Sequence, residues 1–114
     1  MIVLDAHCDA PSQMLRLRDY GKDNSHAQVD FPKMRRGGVD ASFFALYVPA
    51  YMQGEQATEY AWRLLDEVDR QVSGNSDIVA YARCASSVRR NRSDGRLSVS
   101  LGIENASAIG ESFE

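Results

Sequence analysis

Cysteine is scarce in this sequence: Cys8 and Cys84 are the only two. Their separation matches no zinc-type or redox-type spacing, so neither a disulfide-stapled scaffold nor a cysteine-built metal centre is indicated. The pair reads as free thiols in a reducing compartment, taken here as the cytoplasm, with a single long-range disulfide as the alternative. Long hydrophobic runs are also lacking, and none approaches the roughly 20 residues of a membrane-spanning helix. Met1–Leu4 runs directly into Asp5, so no basic segment followed by an apolar one marks a secretory signal, although a chain trimmed behind a signal would look the same. An excess of one charge is missing as well. Thirteen Lys and Arg stand against sixteen Asp and Glu, for a net charge of -3 with the signs mixed. That balance argues against a nucleic-acid or polyanion partner. Internal repeats and low-complexity segments are absent from the sequence.

What is present is an ordinary globular composition, 44% apolar and 25% charged over 114 residues, enough for about one small domain. Residues 2–8, IVLDAHC, read as a short buried strand. Strand parity places Ile2, Leu4, Ala6 and Cys8 on one face and Val3, Asp5, His7 and Asp9 on the other. Pro11 stops that pattern, and 12–18 predicts a brief helix capped by Ser12. Polar residues 19–31 read as a loop. A turn or short helix follows at Pro32–Arg36, ended by Gly37 and Gly38. Residues 39–48 are the strongest strand, apolar on both faces from Phe43 onward, which suits a strand covered on both sides. The best helix is 55–73. Ala57, Tyr60, Ala61, Leu64, Leu65, Val68 and Val72 form one stripe, the core-facing side of an amphipathic helix. A short strand at 78–82 and a basic helix at 86–92 follow, with Arg89, Arg90 and Arg92 as a solvated face. Residues 97–104 alternate cleanly, with Leu97, Val99, Leu101 and Ile103 opposed to Ser98, Ser100, Gly102 and Glu104. Strands alternating with helices predict a parallel α/β sheet.

Three candidate ligands fall at strand ends: His7 and Asp9 after the first strand, Glu104 after the last. Ligand sites of parallel α/β sheets lie beyond the carboxyl ends of the strands. An imidazole and two carboxylates suit zinc, and also manganese or iron. His-x-Asp by itself is a short and unspecific signal, and a carboxylate past a strand end is often a cap or a solvated charge. Asp5 reads as a supporting group that fixes His7 by a hydrogen bond, and Cys8, of opposite parity, as packing. His26 reads as a surface residue. Ser12 has no histidine placed to activate it as a nucleophile.

Three segments together resemble one family. DAHCDAP, VDFPKMRRGGVDASFFALYVPA and LGIENASAIG are similar to the successive motifs of the membrane dipeptidase (renal dipeptidase-like) family of the amidohydrolase superfamily. The last matches its Gly-x-Glu-Gly/Asn pattern with Asn105 after Glu104. Departures fall at Ser12, where several relatives carry tryptophan, and at Ala106–Ser107, where glycine and a larger residue are common.

The resemblance implies the N-terminal portion of a (β/α)8 TIM barrel with a two-zinc site. His7 and Asp9 would bind one Zn2+, and Glu104 would bridge both ions as ligand and catalytic residue. A hydroxide shared by ions about 3.5–4 Å apart would hydrolyse a dipeptide. Tyr47, at the end of the second strand, is placed as a substrate-lining residue. A full barrel needs roughly 250 residues, so 1–114 is expected to be about three of the eight βα units of a single catalytic domain, incomplete and inactive alone. The whole protein is expected to form a homodimer. The competing readings are another amidohydrolase acting on a different amide or a lactone, and a non-catalytic truncated fragment.

Overall fold

The computed structural model describes residues 1–17 and 19–110. Four strands, β1 (Leu4–Cys8), β2 (Ala41–Tyr47), β3 (Val79–Tyr81) and β4 (Leu97–Glu104), form one parallel sheet in the order β1-β2-β4-β3. Helices α1 (Ala10–Met14), α2 (Phe31–Arg36), α3 (Gly54–Gly74) and α4 (Ala85–Ser93) connect them, and a 3-10 turn at Ala106–Ala108 follows β4. The parallel α/β sheet expected from the sequence is therefore present. Arg18, the last residue of the expected 12–18 helix, lies outside the described residues.

Helix α3 forms where the apolar stripe predicts it. Ala57, Ala61, Leu64, Val68 and Val72 are buried, Tyr60 and Leu65 half-buried, and Glu59, Arg63 and Arg70 exposed. One polar residue joins the buried side: Gln71 accepts a hydrogen bond from Tyr20 N–H at 2.7 Å, and its amide donates to Glu67 at 2.7 Å. It thereby anchors the polar loop after α1 to the core. Phe44, Leu46, Leu97 and Val99 of the sheet pack with Met14, Leu64, Val68 and Val72 in the main cluster. Fully burying each large side chain contributes about 1.5–3 kcal/mol.

Helix α2 is set by its first residues. Asp30 precedes it, and its carboxylate accepts from Lys33 N–H at 2.8 Å, satisfying one free amide of the first turn. Pro32 lies in that turn, where its missing N–H costs nothing. Gly38, at φ +72°, carries the chain out of the helix in a conformation that glycine adopts without steric cost.

Two expectations about the strands change. The helix after β1 spans Ala10–Met14 rather than 12–18, with Asp9 at its N-cap and Pro11 in its first turn. Pro11 therefore opens the helix instead of only ending the strand. Second, β2 is not covered on both faces among the described residues. Residues paired across a parallel sheet share a face, and the register groups Leu4, Ala41, Phe43, Ala45 and Tyr47 with Ser98, Ser100, Gly102 and Glu104. On that face Ala41 and Ser98 are buried, and α4 contributes Asn91 Nδ2 to Ser98 Oγ at 3.1 Å. Toward the carboxyl ends, Phe43 and Tyr47 are 41% and 39% exposed. Helices thus cover Phe44, Leu46, Leu97 and Val99 on one face, while toward the carboxyl ends both faces open, at Ile103 on that side and at Phe43 and Tyr47 on the other.

Candidate metal centre

The local geometry of β1 departs from simple alternation. Asp5 pairs with Ser42 and Cys8 with Phe44, so three steps on β1 match two on β2 and the register shifts between Asp5 and Cys8. Ser42 and Phe44 share a face, which puts Asp5 and Cys8 together on the helix-covered side. The expected grouping of Asp5 with His7 and Asp9 is corrected by this bulge. Without it, uninterrupted alternation would send His7 to the face opposite Glu104.

Asp5 fixes the bulge. Its Oδ1 accepts from the backbone N–H of His7 at 3.1 Å, and its Oδ2 accepts from Ser42 Oγ at 3.0 Å. It supports His7 through the amide, not through the imidazole. Cys8 packs against the core cluster, and burial pushes its thiol above the ordinary range. Neither cysteine is in a disulfide. The sequence carries no signal for Ser42, because the pairing that brings it to Asp5 joins distant segments.

The strand ends bring His7, Asp9 and Glu104 together. His7 Nε2 lies 3.0 Å from Glu104 Oε2 and 3.4 Å from Asp9 Oδ1, and one donor atom from each residue lies within 4.8 Å of the other two. Among the described residues this is the one cluster of three or more such side chains with that geometry. Glu104 Oε2 is itself buried yet makes no hydrogen bond, although the side chain as a whole is 43% exposed. His7 Nε2 faces that oxygen at 3.0 Å, and a cation held among these oxygens and the imidazole would satisfy both. One nitrogen and two oxygen donors of this kind fit a borderline divalent ion such as zinc.

Tyr47 pairs directly with Glu104 across β2 and β4, so both side chains leave the sheet on the same face at the same level. The strand ends are tied together beyond that pair. Val48 N–H donates to Glu104 O at 3.1 Å, and Asn105 Nδ2 donates to Val48 O at 2.8 Å. Ser12 Oγ donates to Asp9 O at 2.9 Å, a local turn bond with no activating imidazole, and His26 is exposed.

The Membrane dipeptidase (Peptidase family M19) model matches residues 1–114. Dipeptidase aclJ of Aspergillus oryzae is 34% identical over 98 residues, and dipeptidase ataJ of Aspergillus terreus 27% over 93. Those alignments cover 79% and 75% of this chain but 23% of each relative, so the chain spans about a quarter of their length. Among solved structures, the dipeptidase AC, a metallo peptidase of family M19, matches with a TM-score of 0.83 at 27% identity. That match covers 96% of this chain and 37% of the other. A metallo peptidase from Rhodobacter sphaeroides, solved with a phosphinate mimic of the dipeptide L-Ala-D-Ala, shares the fold with a TM-score of 0.83 at 24% identity, over 96% of this chain and 40% of its own. The parallel sheet described above is accordingly part of a (β/α)8 barrel, with its donors at the strand ends where such barrels carry their sites. Sequence motifs, sheet architecture and relatives thus agree, and the chain belongs to the membrane dipeptidase family, peptidase family M19.

Proposed function

We propose that residues 1–114 contribute part of the single catalytic barrel of a zinc-dependent dipeptidase, acting in the cytoplasm, with the whole protein assembled as a homodimer. The observation that carries this reading is the meeting of His7, Asp9 and Glu104 around a buried, unbonded carboxylate oxygen. His7 and Asp9 would hold one zinc, and Glu104 would bridge it to a second whose other ligands come from later strands. When bound, the zinc pair supplies an activated water near neutral pH and polarises the scissile carbonyl.

The chain's own residues do the rest. Glu104 stands at the end of β4 and sets how far apart the donors of a shared site are held. Asp5 locks the amide of His7, which orients the imidazole toward Glu104. Tyr47 presents its ring beside Glu104 on the open face and lines the space in which a dipeptide would lie. Phe43, lower on the same face, offers apolar surface beneath it. The Rhodobacter sphaeroides relative, solved with a mimic of L-Ala-D-Ala, supports a dipeptide as the substrate class.

The test compares L-Ala-D-Ala hydrolysis by the complete barrel and by the 114-residue chain, each with and without a chelator. Chelator-sensitive turnover by the complete barrel alone is expected. Turnover that survives metal removal would overturn the metal-dependent reading, and turnover by the 114-residue chain would overturn the division of the site.

A further inference from the structure

Asn105 is the only non-glycine residue with positive φ among the described residues, at φ 80° and ψ 110°. Residues with a Cβ rarely adopt that backbone, and asparagine tolerates it better than most. It directly follows Glu104. Its carboxamide is used at both ends: Nδ2 donates to Val48 O at 2.8 Å, and Oδ1 accepts from Ser107 N–H at 3.1 Å. Val48, next to Tyr47, is therefore held through both of its backbone groups, since its N–H already bonds Glu104 O. One side chain joins the end of β2, the end of β4 and the turn that follows.

Glu104 Oε2 has no hydrogen bond of its own, yet it sits 3.0 Å from His7 Nε2. His7 Nε2 is the ion-pair partner of that oxygen, and the backbone that carries Glu104 decides whether the two can meet. We infer that Asn105 is the positioning residue of this centre: its strained backbone and two-ended carboxamide fix Glu104 toward His7 and keep Tyr47 level with it. This rests on the reading of Glu104 as a metal ligand.

The experiment titrates the complete barrel, stripped of metal, with zinc alone, and records thermal melting separately. Asn105→Gly relieves the strained φ while losing both hydrogen bonds, so its melting temperature is expected to stay close to that of the parent. Its zinc affinity is expected to fall about tenfold, the lower end of what supporting residues of metal sites control. Asn105→Asp keeps the acceptor for Ser107 N–H and tolerates the positive φ but sets a carboxylate oxygen against Val48 O, and its affinity is expected to fall at least as far as that of Asn105→Gly. Zinc binding by both variants as tight as the parent's would overturn the inference. A loss that follows melting temperature alone would also overturn it, by reducing Asn105 to a structural role. His7→Ala and Glu104→Gln separate the two layers. If they weaken zinc binding while the Asn105 variants do not, only the positioning role fails; if they bind zinc like the parent, the metal reading fails and the inference with it.

Discussion

Asp5 and Ser42 meet across β1 and β2, the Ser42 hydroxyl donating to Asp5 Oδ2 at 3.0 Å while Asp5 Oδ1 holds the amide of His7. The pair stabilises the bulge that turns His7 toward Glu104. Asp5→Ala removes both bonds without touching a ligand. Zinc affinity is expected to drop about tenfold, with Ser42→Ala causing a smaller loss. Isothermal titration of both variants with zinc checks this, and an unchanged affinity in Asp5→Ala would show that the bulge holds without its carboxylate.

Tyr47 stands opposite Glu104 on the open face. Tyr47→Phe keeps the ring and removes the hydroxyl. In the complete barrel, losing one substrate hydrogen bond of about 1 kcal/mol predicts a KM for L-Ala-D-Ala raised about fivefold, with kcat and zinc content unchanged. Steady-state kinetics decide it: a fall in kcat alone would place the hydroxyl in the chemical step instead.

Asp30 is fully buried and caps α2. Burial by itself would raise its carboxyl pKa, but hydrogen bonds from Asn24 N–H, the Lys33 ammonium and Lys33 N–H outweigh it and hold the carboxyl below the ordinary range. A depressed folded-state pKa adds stability that is complete above the unfolded value, about 3.9, and is lost as pH falls through the folded value. Asp30→Ala is expected to cost about 1–2 kcal/mol at pH 7, from the lost cap and the Asn24 N–H left without its acceptor, while Lys33 keeps Asp23 as an ion-pair partner. Urea unfolding should show this difference shrinking below about pH 4. A penalty that does not change with pH would mean that packing, not charge, sets Asp30's contribution.

The two thiols should differ in reactivity. Cys84 is exposed at the start of α4, and hydrogen bonds with the Ser86 and Ser87 hydroxyls and backbone groups lower its pKa to about 7. Burial pushes Cys8 the other way. Since the thiolate is the nucleophile, iodoacetamide labelling of Cys84 is expected to reach half its maximal rate near pH 7, with Cys8 reacting far more slowly. Peptide mass spectrometry at graded pH reads both sites, and equal rates would contradict the assigned environments.

Much of the fold was legible because its signals are local. The 3.6-residue stripe of α3 depends only on spacing along the chain, and it matched burial at Ala57, Ala61, Leu64, Val68 and Val72. Gln71 broke the pattern, since its burial depends on a distant partner, Tyr20 N–H. Alternation in β4 was equally visible, but it did not predict burial: Ser98 is buried beneath Asn91, while Ile103 is 57% exposed. Pro11 carried two meanings, strand stop and first-turn helix residue, and only the backbone around it chose between them.

By itself, the sequence determined the residue types, their places at strand ends and the family motifs, because these are properties of order along a chain. It also determined that strands and helices alternate, since periodicity is local. The tertiary structure alone decided that His7 faces Glu104. That outcome needs a register shift between β1 and β2, and register follows from pairing and turn geometry between segments far apart. The same holds for Asp5, which supports His7 through an amide on account of the bulge, and for Asn105, whose hydrogen bond to Val48 O exists only once β2 and β4 lie side by side.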